Sequence, residues 1–426
     1  MELKGKKVLV IGMRSSGISV SELMKRKGAQ VFCIDDKLKK EIPLEEVKKF
    51  DLVVPSPGVP ATHSVLSQAK TDGVKILGEL EIGCSFLPCK KIMVTGTNGK
   101  STVVTMIEKL LVFSGYKAKA MGNIGYPVSQ VVLDGTDLDY AVVEVSSFQL
   151  EYIDRLHADV AVVLNLAPDH LDRYDSYRSY VETKKKILKN CDENDRYVYN
   201  ADDGAARSFL VGCKAQNVPV SVTKRLSEVY IKDNYFMVDD RSLCHVKTYK
   251  LRGEHNKFNL LCALTVGNLI GVRRESMLRL IKEYNLLPNR IEYVMTLNGV
   301  SFYNDSKGTN VHACCRALES MDGNVGLIMG GSSKNEDFCD FFENIDQKVK
   351  QIAVIGDNAR QIYNAAMKMG FCNIKVFSKL TEAVAYLYCS GVDTVLLSPA
   401  SASFDRYKNY AERGEKFKEA VYALQK

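Results

Sequence analysis

No apolar stretch in this chain approaches 18 residues, so a membrane-spanning helix is not expected. The N-terminal Met-Glu-Leu-Lys-Gly-Lys-Lys leads straight into the run Val8–Ile11, too short for a signal-peptide core, and no small-residue cleavage site follows. A cytoplasmic location is the expectation. Blocks of five or six like charges are also missing. Lys+Arg 58 against Asp+Glu 51 leave only +7, which does not favour a surface that coats nucleic acid. Anionic small molecules, met by local clusters of Lys and Arg, fit that balance. None of the 12 cysteines forms a Cys-x-x-Cys pair, so a zinc ribbon or thioredoxin-type site is unsupported and reduced thiols in or near cores are expected. No sequence repeat recurs at a fixed period, which excludes solenoids and propellers.

What the chain does have is alternation, over a length of 426 residues that suits about three domains. The β-branched runs Val8–Ile11, Val31–Ile34, Leu52–Val54 and Val74–Leu77 read as buried strands separated by helical stretches, which implies parallel sheet with crossover helices. Phe86-Leu87-Pro88-Cys89-Lys90-Lys91 punctuates the pattern before a new strand at Ile92–Thr95. Strands at Ala141–Val145 and Val160–Asn165, a Lys-rich helix near Asp172–Lys189 and a hairpin of Glu228–Ile231 with Tyr235–Val238 follow. Helices near Asn256–Ile270 and Glu275–Tyr284 lead to a second break at Leu287-Pro288-Asn289-Arg290. Beyond it, strands at Val300–Asn304, Val325–Met329, Ile352–Ile355, Ile374–Phe377 and Thr394–Ser398 alternate with helices. The expected result is three α/β domains, 1–90, 91–286 and 287–426.

Several strands run into a glycine-bearing turn and then a helix, an arrangement that lets backbone N–H groups converge on an anion. Such turns also serve packing alone. Thr95-Gly96-Thr97-Asn98-Gly99-Lys100-Ser101-Thr102 carries more, because Gly-Lys-Ser at a helix start is the part of a P-loop that does chemistry. There Lys reaches the β/γ-phosphates and the Ser hydroxyl binds Mg²⁺. The general pattern places a glycine four residues before Gly99, where this chain has Thr95, so the loop is shortened. The first turn, Gly12-Met13-Arg14-Ser15-Ser16-Gly17, lacks the central glycine of a dinucleotide loop. That weakens a NAD site and leaves one for another diphosphate nucleotide.

Val94–Thr102, Glu144–Glu151, Asn165–Tyr174, Gly253–Asn256 and Asn304–Asn310 together closely resemble the Mur ligase family. The stretch Leu397–Tyr410 narrows the resemblance to its D-glutamate-adding branch, and the match runs the length of the chain. The resemblance implies an N-terminal Rossmann-like domain, a central P-loop ATPase-type domain with a mixed sheet, and a C-terminal Rossmann-like domain. It implies a cytoplasmic, monomeric enzyme of peptidoglycan precursor synthesis that joins D-glutamate to UDP-N-acetylmuramoyl-L-alanine, using ATP and Mg²⁺ or Mn²⁺. The nearest alternative is another Mur-type or a folylpolyglutamate-type amide ligase. The Asp-Asn-Pro motif of the relative that adds diaminopimelate or lysine is absent.

By the same resemblance, Lys100, Glu144, His170 and Lys184 are the catalytic set. Ser101, Glu144, His170 and Lys184 surround the metal, with Lys184 carbamylated, because a cationic Lys beside Mg²⁺ would be repelled and a carbamate is an anionic oxygen ligand. Lys185 and Lys186 leave that register open by one, and a solvated basic helix face is the bland alternative. ATP would meet Gly96 to Thr102, His255, Asn256, Asn259, Arg290 and Asp305. The nucleotide substrate would meet Ser15, Ser16, Gly17, Asp35, Lys37, Ser56, Pro57, Gly58, Asn123 and His170. D-Glutamate would meet Lys307, Thr309, Lys334, Ser403 and Tyr410. This chain departs from the family at Asn289, where His is frequent, at Gly308, where Ala is frequent, and at Tyr410, where Phe is common. The exchanges at Gly308 and Tyr410 are expected to be harmless, and a role for Asn289 is left open. Domain closure about the hinge near Leu287–Arg290 is expected during catalysis.

Overall fold

The computed structural model describes residues 1–36, 41–171, 173–251, 253–285, 287–332 and 338–425. They form two compact units, Met1–Lys250 with Phe258–Tyr284, and Leu251–Lys257 with Asn285–Lys426. The sequence boundary at 90 therefore falls inside the first unit, which carries two parallel sheets.

The first sheet is built from β1 (Lys7–Ile11), β2 (Gln30–Ile34), β3 (Leu52–Pro55) and β4 (Lys75–Ile76), in the order β2-β1-β3-β4 and parallel throughout. β1 and β3 are apolar on both faces, and helices cover both: Val8, Val10 and Leu52 pack on one side, Leu9, Ile11 and Val53 on the other. The fourth strand is shorter than the apolar run Val74–Leu77 suggests, because only Lys75 and Ile76 pair with β3.

The second sheet has β5 (Lys90–Thr95), β6 (Ala118–Gly122), β7 (Tyr140–Glu144), β8 (Val160–Val163), β9 (Arg196–Asn200) and β10 (Gln216–Val220). Its order is β10-β9-β8-β5-β7-β6 and every pairing is parallel. The expected mixed sheet is thus corrected: the antiparallel strands form a separate small sheet, β11 (Val229–Lys232), β12 (Tyr235–Val238) and β13 (Arg241–His245). β13 extends the expected hairpin to three strands. The Lys-rich helix starts at Tyr177, capped by Ser176, rather than near Asp172, a residue outside the described set. The chain leaves β5 toward β6 on one side and returns to β8 on the other, so the order reverses at the carboxyl end of β5. A crevice of that kind is where open α/β sheets bind ligands.

The second unit holds β14 (Glu292–Leu297), β15 (Val300–Asn304), β16 (Val325–Met329), β17 (Val349–Val354), β18 (Ile374–Val376) and β19 (Thr394–Leu397). Their order is β14-β15-β19-β16-β17-β18, with β14 alone antiparallel at the edge. β19, last in sequence, inserts between β15 and β16. The carboxyl ends of these three neighbours therefore deliver three loops to one place.

Candidate active site

At the carboxyl end of β5 the backbone must turn sharply into the helix Lys100–Phe113. Gly96 (φ 146°) and Gly99 (φ 87°) occupy conformations that L side chains rarely adopt. A Cβ at Gly99 would stand 2.6 Å from Asn259 Oδ1, so Asn259 is packed directly on the loop. Asn165, at the end of the β8 segment, brackets the same loop: it accepts from the Asn98 N–H and donates to the Asn98 carbonyl, both at 2.9 Å. Thr97 is held by Ala167 and by the Tyr180 hydroxyl at 3.0 Å. Asn165 and Tyr180 are loop-bracing residues that sequence alone does not single out, although Asn165 is the first residue of the family motif Asn165–Tyr174.

Two lysines converge on this turn. Lys100 donates to the carbonyls of Gly96 and Thr97 at 2.9 and 2.8 Å, and Lys184 donates to the same Gly96 carbonyl at 2.9 Å. Lys184 is 2 % exposed. Burial, and then the charge of Lys100, hold its ammonium well below the usual lysine range, while Asp169 and Glu144 pull the other way. Of the three neighbouring lysines, Lys184 donates to the loop, whereas Lys185 donates to the Val211 carbonyl and Lys186 to the Glu151 carbonyl.

Glu144 ends β7 and is buried, as is Ser101 in the first turn of the P-loop helix. His170 sits at φ 55°, braced by Asp169 through its own N–H at 2.9 Å, with its ring 4.7 Å from that of Phe148. A hydroxyl, a carboxylate and an imidazole near the loop suit Mg²⁺ or Mn²⁺, which favour oxygen-rich shells. An ammonium at Lys184 does not suit that shell.

The first sheet presents its own crevice at β1 and β3. Gly17 lies so close to the Gly12 carbonyl that a Cβ would stand 1.9 Å from it. Ser56 donates to that carbonyl at 2.7 Å, and Asp35 accepts from the Met13 N–H at 2.6 Å. Asp35 and Ser56 thus brace the turn that opens the helix Ser15–Arg26, whose first turn has no side-chain cap. Ser15 and Ser16 are the first residues of that helix, and Pro57 and Gly58 follow Ser56 in the turn after β3. Arg173 bonds Glu151 with two nitrogens and donates to the Pro57 carbonyl at 3.3 Å, a link the sequence did not announce. Lys37 lies outside the described residues.

In the second unit, buried Asp305 follows β15. It accepts from the Ser398 hydroxyl at 2.8 Å and from the Ile291 N–H at 3.3 Å, and burial pushes its carboxyl up to about 7 despite the charge of Arg290. His255 Nδ1 is buried with no hydrogen-bond partner among the described residues, and burial lowers its pKa to about 4. A neutral ring with an unsatisfied nitrogen suits an uncharged base. Asn256 is buried beside it in sequence. Lys307 Nζ lies 3.8 Å from the centre of the Tyr410 ring, and Thr309 and buried Ser403 stand on neighbouring loops. Lys334 lies outside the described residues.

The open question at Asn289 receives an answer. Its carbonyl accepts from the Lys307 N–H at 3.0 Å, its amide oxygen accepts from Asn304 at 2.9 Å, and it sits at φ 65°, where Asn is tolerated. Gly308 is also more than a harmless exchange: a Cβ there would stand 2.4 Å from Asp305 Oδ2.

Residues 94–267 match the Mur ligase middle domain, and residues 289–401 the Mur ligase glutamate ligase domain. The chain belongs to the Mur ligase family. It is 36% identical over 456 residues, and all of both chains, to the UDP-N-acetylmuramoylalanine–D-glutamate ligase of Thermoanaerobacter pseudethanolicus. It is 34% identical over 450 residues, again all of both chains, to the ligase of the same name from Caldanaerobacter subterraneus. In fold it is similar to the UDP-N-acetylmuramate-alanine ligase of Thermotoga maritima, with a TM-score of 0.62 at 17% identity over 99% of this chain and 100% of that one. The MurF ligase of Thermotoga maritima in complex with ADP gives 0.62 at 17% identity, over 99% and 96%. No described helix is long and apolar enough to cross a membrane.

Proposed function

We infer that this chain is the ATP-dependent ligase that adds D-glutamate to UDP-N-acetylmuramoyl-L-alanine in peptidoglycan precursor synthesis. The full-length identity to ligases of that name supports the reading. The structural observation that carries it is the meeting of Lys100 and Lys184 on the Gly96 carbonyl, in the neighbourhood of Glu144 and Asp169. Bringing a substrate carboxylate against a γ-phosphate means joining two anions; Lys100 and a bound Mg²⁺ would supply the positive charge this requires, while Lys184, neutral through burial, is the form that can become a metal-holding carbamate.

The chemistry then runs in two steps. A carboxylate oxygen attacks the γ-phosphorus, the bond to ADP breaks, and an acyl phosphate forms. The amine of D-glutamate attacks the acyl carbon, and the tetrahedral intermediate loses phosphate and a proton to leave an amide. Lys100 swings from its own loop carbonyls to the phosphates, and the loop N–H groups and helix N-terminus hold them. His255, Asn256, Asn259, Arg290 and Asp305 hold the rest of ATP. The crevice at Ser15, Ser16, Gly17, Asp35, Ser56, Pro57 and Gly58 takes the uridine diphosphate, and Asn123 and His170 the acyl end; Lys37 belongs to this set. Lys307, Thr309, Ser403 and Tyr410, with Lys334, receive D-glutamate. Three domains, 1–90, 91–286 and 287–426, divide these tasks in a cytoplasmic monomer.

Ser101, Glu144, His170 and carbamylated Lys184 would hold Mg²⁺, which when bound offsets the charge of the transferring phosphoryl group. Carbamylation needs a neutral amine to attack CO₂, with loss of one proton, and burial supplies that form of Lys184. Lys184→Ala should abolish turnover, and added short carboxylic acids should restore part of it. An Ala variant with full activity would remove Lys184 from the set.

One assay tests the whole reading: ATP-dependent phosphate release with UDP-N-acetylmuramoyl-L-alanine, offered D-Glu, L-Glu and L-Lys in turn. Release is expected with D-Glu alone. Release that ignores D-Glu would point to another amide ligase of the family.

A further inference from the structure

Arg413, in the helix Tyr410–Ala423, is the largest fully enclosed side chain among the described residues, at 1 % exposed. All five of its N–H groups are spent. Nε donates to the Ser306 hydroxyl at 3.0 Å; Nη1 donates to the carbonyls of Gly330 at 3.4 Å and Ala402 at 3.2 Å; Nη2 donates to those of Ser306 at 2.9 Å and Ser401 at 3.0 Å. These acceptors belong to the three loops leaving β15, β16 and β19. Among the described residues no carboxylate oxygen forms an ion pair with it; Asp405 and Asp305 act only at longer range.

Burying a guanidinium without a counter-ion is expensive, and an apolar side chain would fill the same space more cheaply. The fit is tight as well: a Cβ on Gly331 would stand 2.0 Å from the Ala402 carbonyl oxygen and 3.0 Å from Arg413 Nη1. Each gripped carbonyl has a geometric consequence. In a planar trans peptide the next N–H points the opposite way, so turning the Ala402 carbonyl onto Arg413 turns the Ser403 N–H away from it. Gripping the Ser306 carbonyl likewise fixes the plane from which Lys307 departs. The Ser306 hydroxyl passes the hold on, donating to the Tyr410 carbonyl at 2.8 Å. Lys307 and Ser403, each next to a gripped carbonyl, and Tyr410, through the Ser306 hydroxyl, are three of the side chains assigned to the amino acid and are all tied to this one guanidinium.

We propose that Arg413 is a positioning residue for amino-acid capture, locking the backbone at Ser306, Gly330, Ser401 and Ala402, just after β15, β16 and β19, into the arrangement that receives a dicarboxylate amino acid. It rests on the reading above that this unit takes D-glutamate. Lysine cannot replace it, because three donors on a point charge do not reproduce a planar five-donor fork.

The test compares wild type, Arg413→Lys and Ser306→Ala in the phosphate-release assay, with KM measured separately for each substrate and folding checked by thermal melting. Arg413→Lys should raise the KM for D-glutamate about tenfold or more, with KM for ATP and for the nucleotide substrate within about twofold of wild type. Ser306→Ala removes the hydroxyl that accepts from Arg413 and donates to the Tyr410 carbonyl while leaving the guanidinium and its carbonyl contacts, so it should give the same selective shift at about two- to fivefold, and it carries the test where Arg413→Lys fails to fold. Equal shifts in all three KM values, or none, in a wild-type background that releases phosphate with D-glutamate would overturn the proposal. If wild type answers to another amino acid instead, the D-glutamate reading fails, and the selective shift must then appear on that amino acid's KM or the proposal fails too. A wild type that answers to none overturns both.

Discussion

Asn123 holds Glu144 by both ends: its side-chain amide donates to Glu144 Oε1 at 2.8 Å, and its backbone N–H donates to the Glu144 carbonyl at 2.9 Å. The contact is possible because Gly122, at φ 95°, brings the chain against β7, where a Cβ would stand 2.4 Å from that same carbonyl. A residue assigned by resemblance to the nucleotide substrate therefore also aims the carboxylate assigned to the metal.

Groups that orient a metal ligand commonly matter by about 10- to 100-fold in metal affinity or activity. Asn123→Ala should accordingly lower kcat by about tenfold and raise the Mg²⁺ concentration needed for half-maximal rate. The measurement is a Mg²⁺ titration at saturating substrates. A change confined to the KM of the nucleotide substrate would mean that Asn123 acts on substrate alone.

A second carboxylate works on stability. Glu81, buried in the helix Glu79–Ser85, accepts from the N–H groups of Asp154, Arg155 and Leu156 at 2.9, 3.0 and 2.9 Å, tying the region of the first sheet to the turn after the helix Ser147–Leu150. Glu81→Ala leaves three backbone donors facing a buried gap, and each costs more unmade than it gained when made. We expect a loss of about 3 kcal/mol in denaturant unfolding. Glu22→Ala, which removes only an exposed pair with Arg26, should stay within about 0.5 kcal/mol of wild type.

The contrast between Glu81 and Lys100 shows what could be read from the chain. Lys100 follows a strand and two glycines in a fixed order, a local pattern whose physics is carried by neighbours in sequence, and the expected loop is in place. The apolar runs of β1, β3, β5 and β16 were legible for the same reason: strands buried on both faces need no polar alternation. β14 was not, because Glu292–Leu297 lies at an edge and mixes exposed with half-buried residues. Nor could β6 be seen in Ala118-Lys119-Ala120-Met121-Gly122, which has little β-branched material. The all-parallel central sheet depends on crossovers that no local pattern states. Glu81 is defined by partners 73 to 75 residues away, and Arg413 by partners 83 and 107 residues away as well as by the nearby Ser401 and Ala402, with nothing in their own neighbourhood to mark them; Asn165 heads a family motif, but its bracing of a loop 67 residues away is not written there.

Gly308 offers a sharper test of packing. Its absent Cβ would stand 2.4 Å from Asp305 Oδ2 and 2.8 Å from Ser398 Oγ, inside the hydrogen bond those residues make. Gly308→Ala must push Asp305 or Ser398 aside, at a cost of about 1–3 kcal/mol. Ser398→Ala in the same chain removes one of the two obstructing atoms, so the double variant should be less than additive. A double-mutant cycle by urea unfolding reads this directly. Strict additivity would show that the loop moves as a body instead.

Asp305 itself predicts a pH dependence of stability. Burial raises its carboxyl from 3.8 to about 7, so between roughly pH 4 and 7 the folded chain holds a proton that the unfolded chain has released. Stability contributed at this position is therefore lost as pH rises through that window, and above about pH 7 the full cost of a buried anion is in place. Asparagine keeps an acceptor for the Ile291 N–H and does not titrate. Asp305→Asn should thus gain on wild type as pH rises, by roughly 2.5 kcal/mol between pH 5 and 8, while turnover falls if Asp305 meets ATP as proposed. Urea unfolding of both proteins at pH 5, 6, 7 and 8 measures the difference. A gap that is constant across this range would mean that Arg290, whose charge opposes the effect of burial, keeps Asp305 ionised throughout.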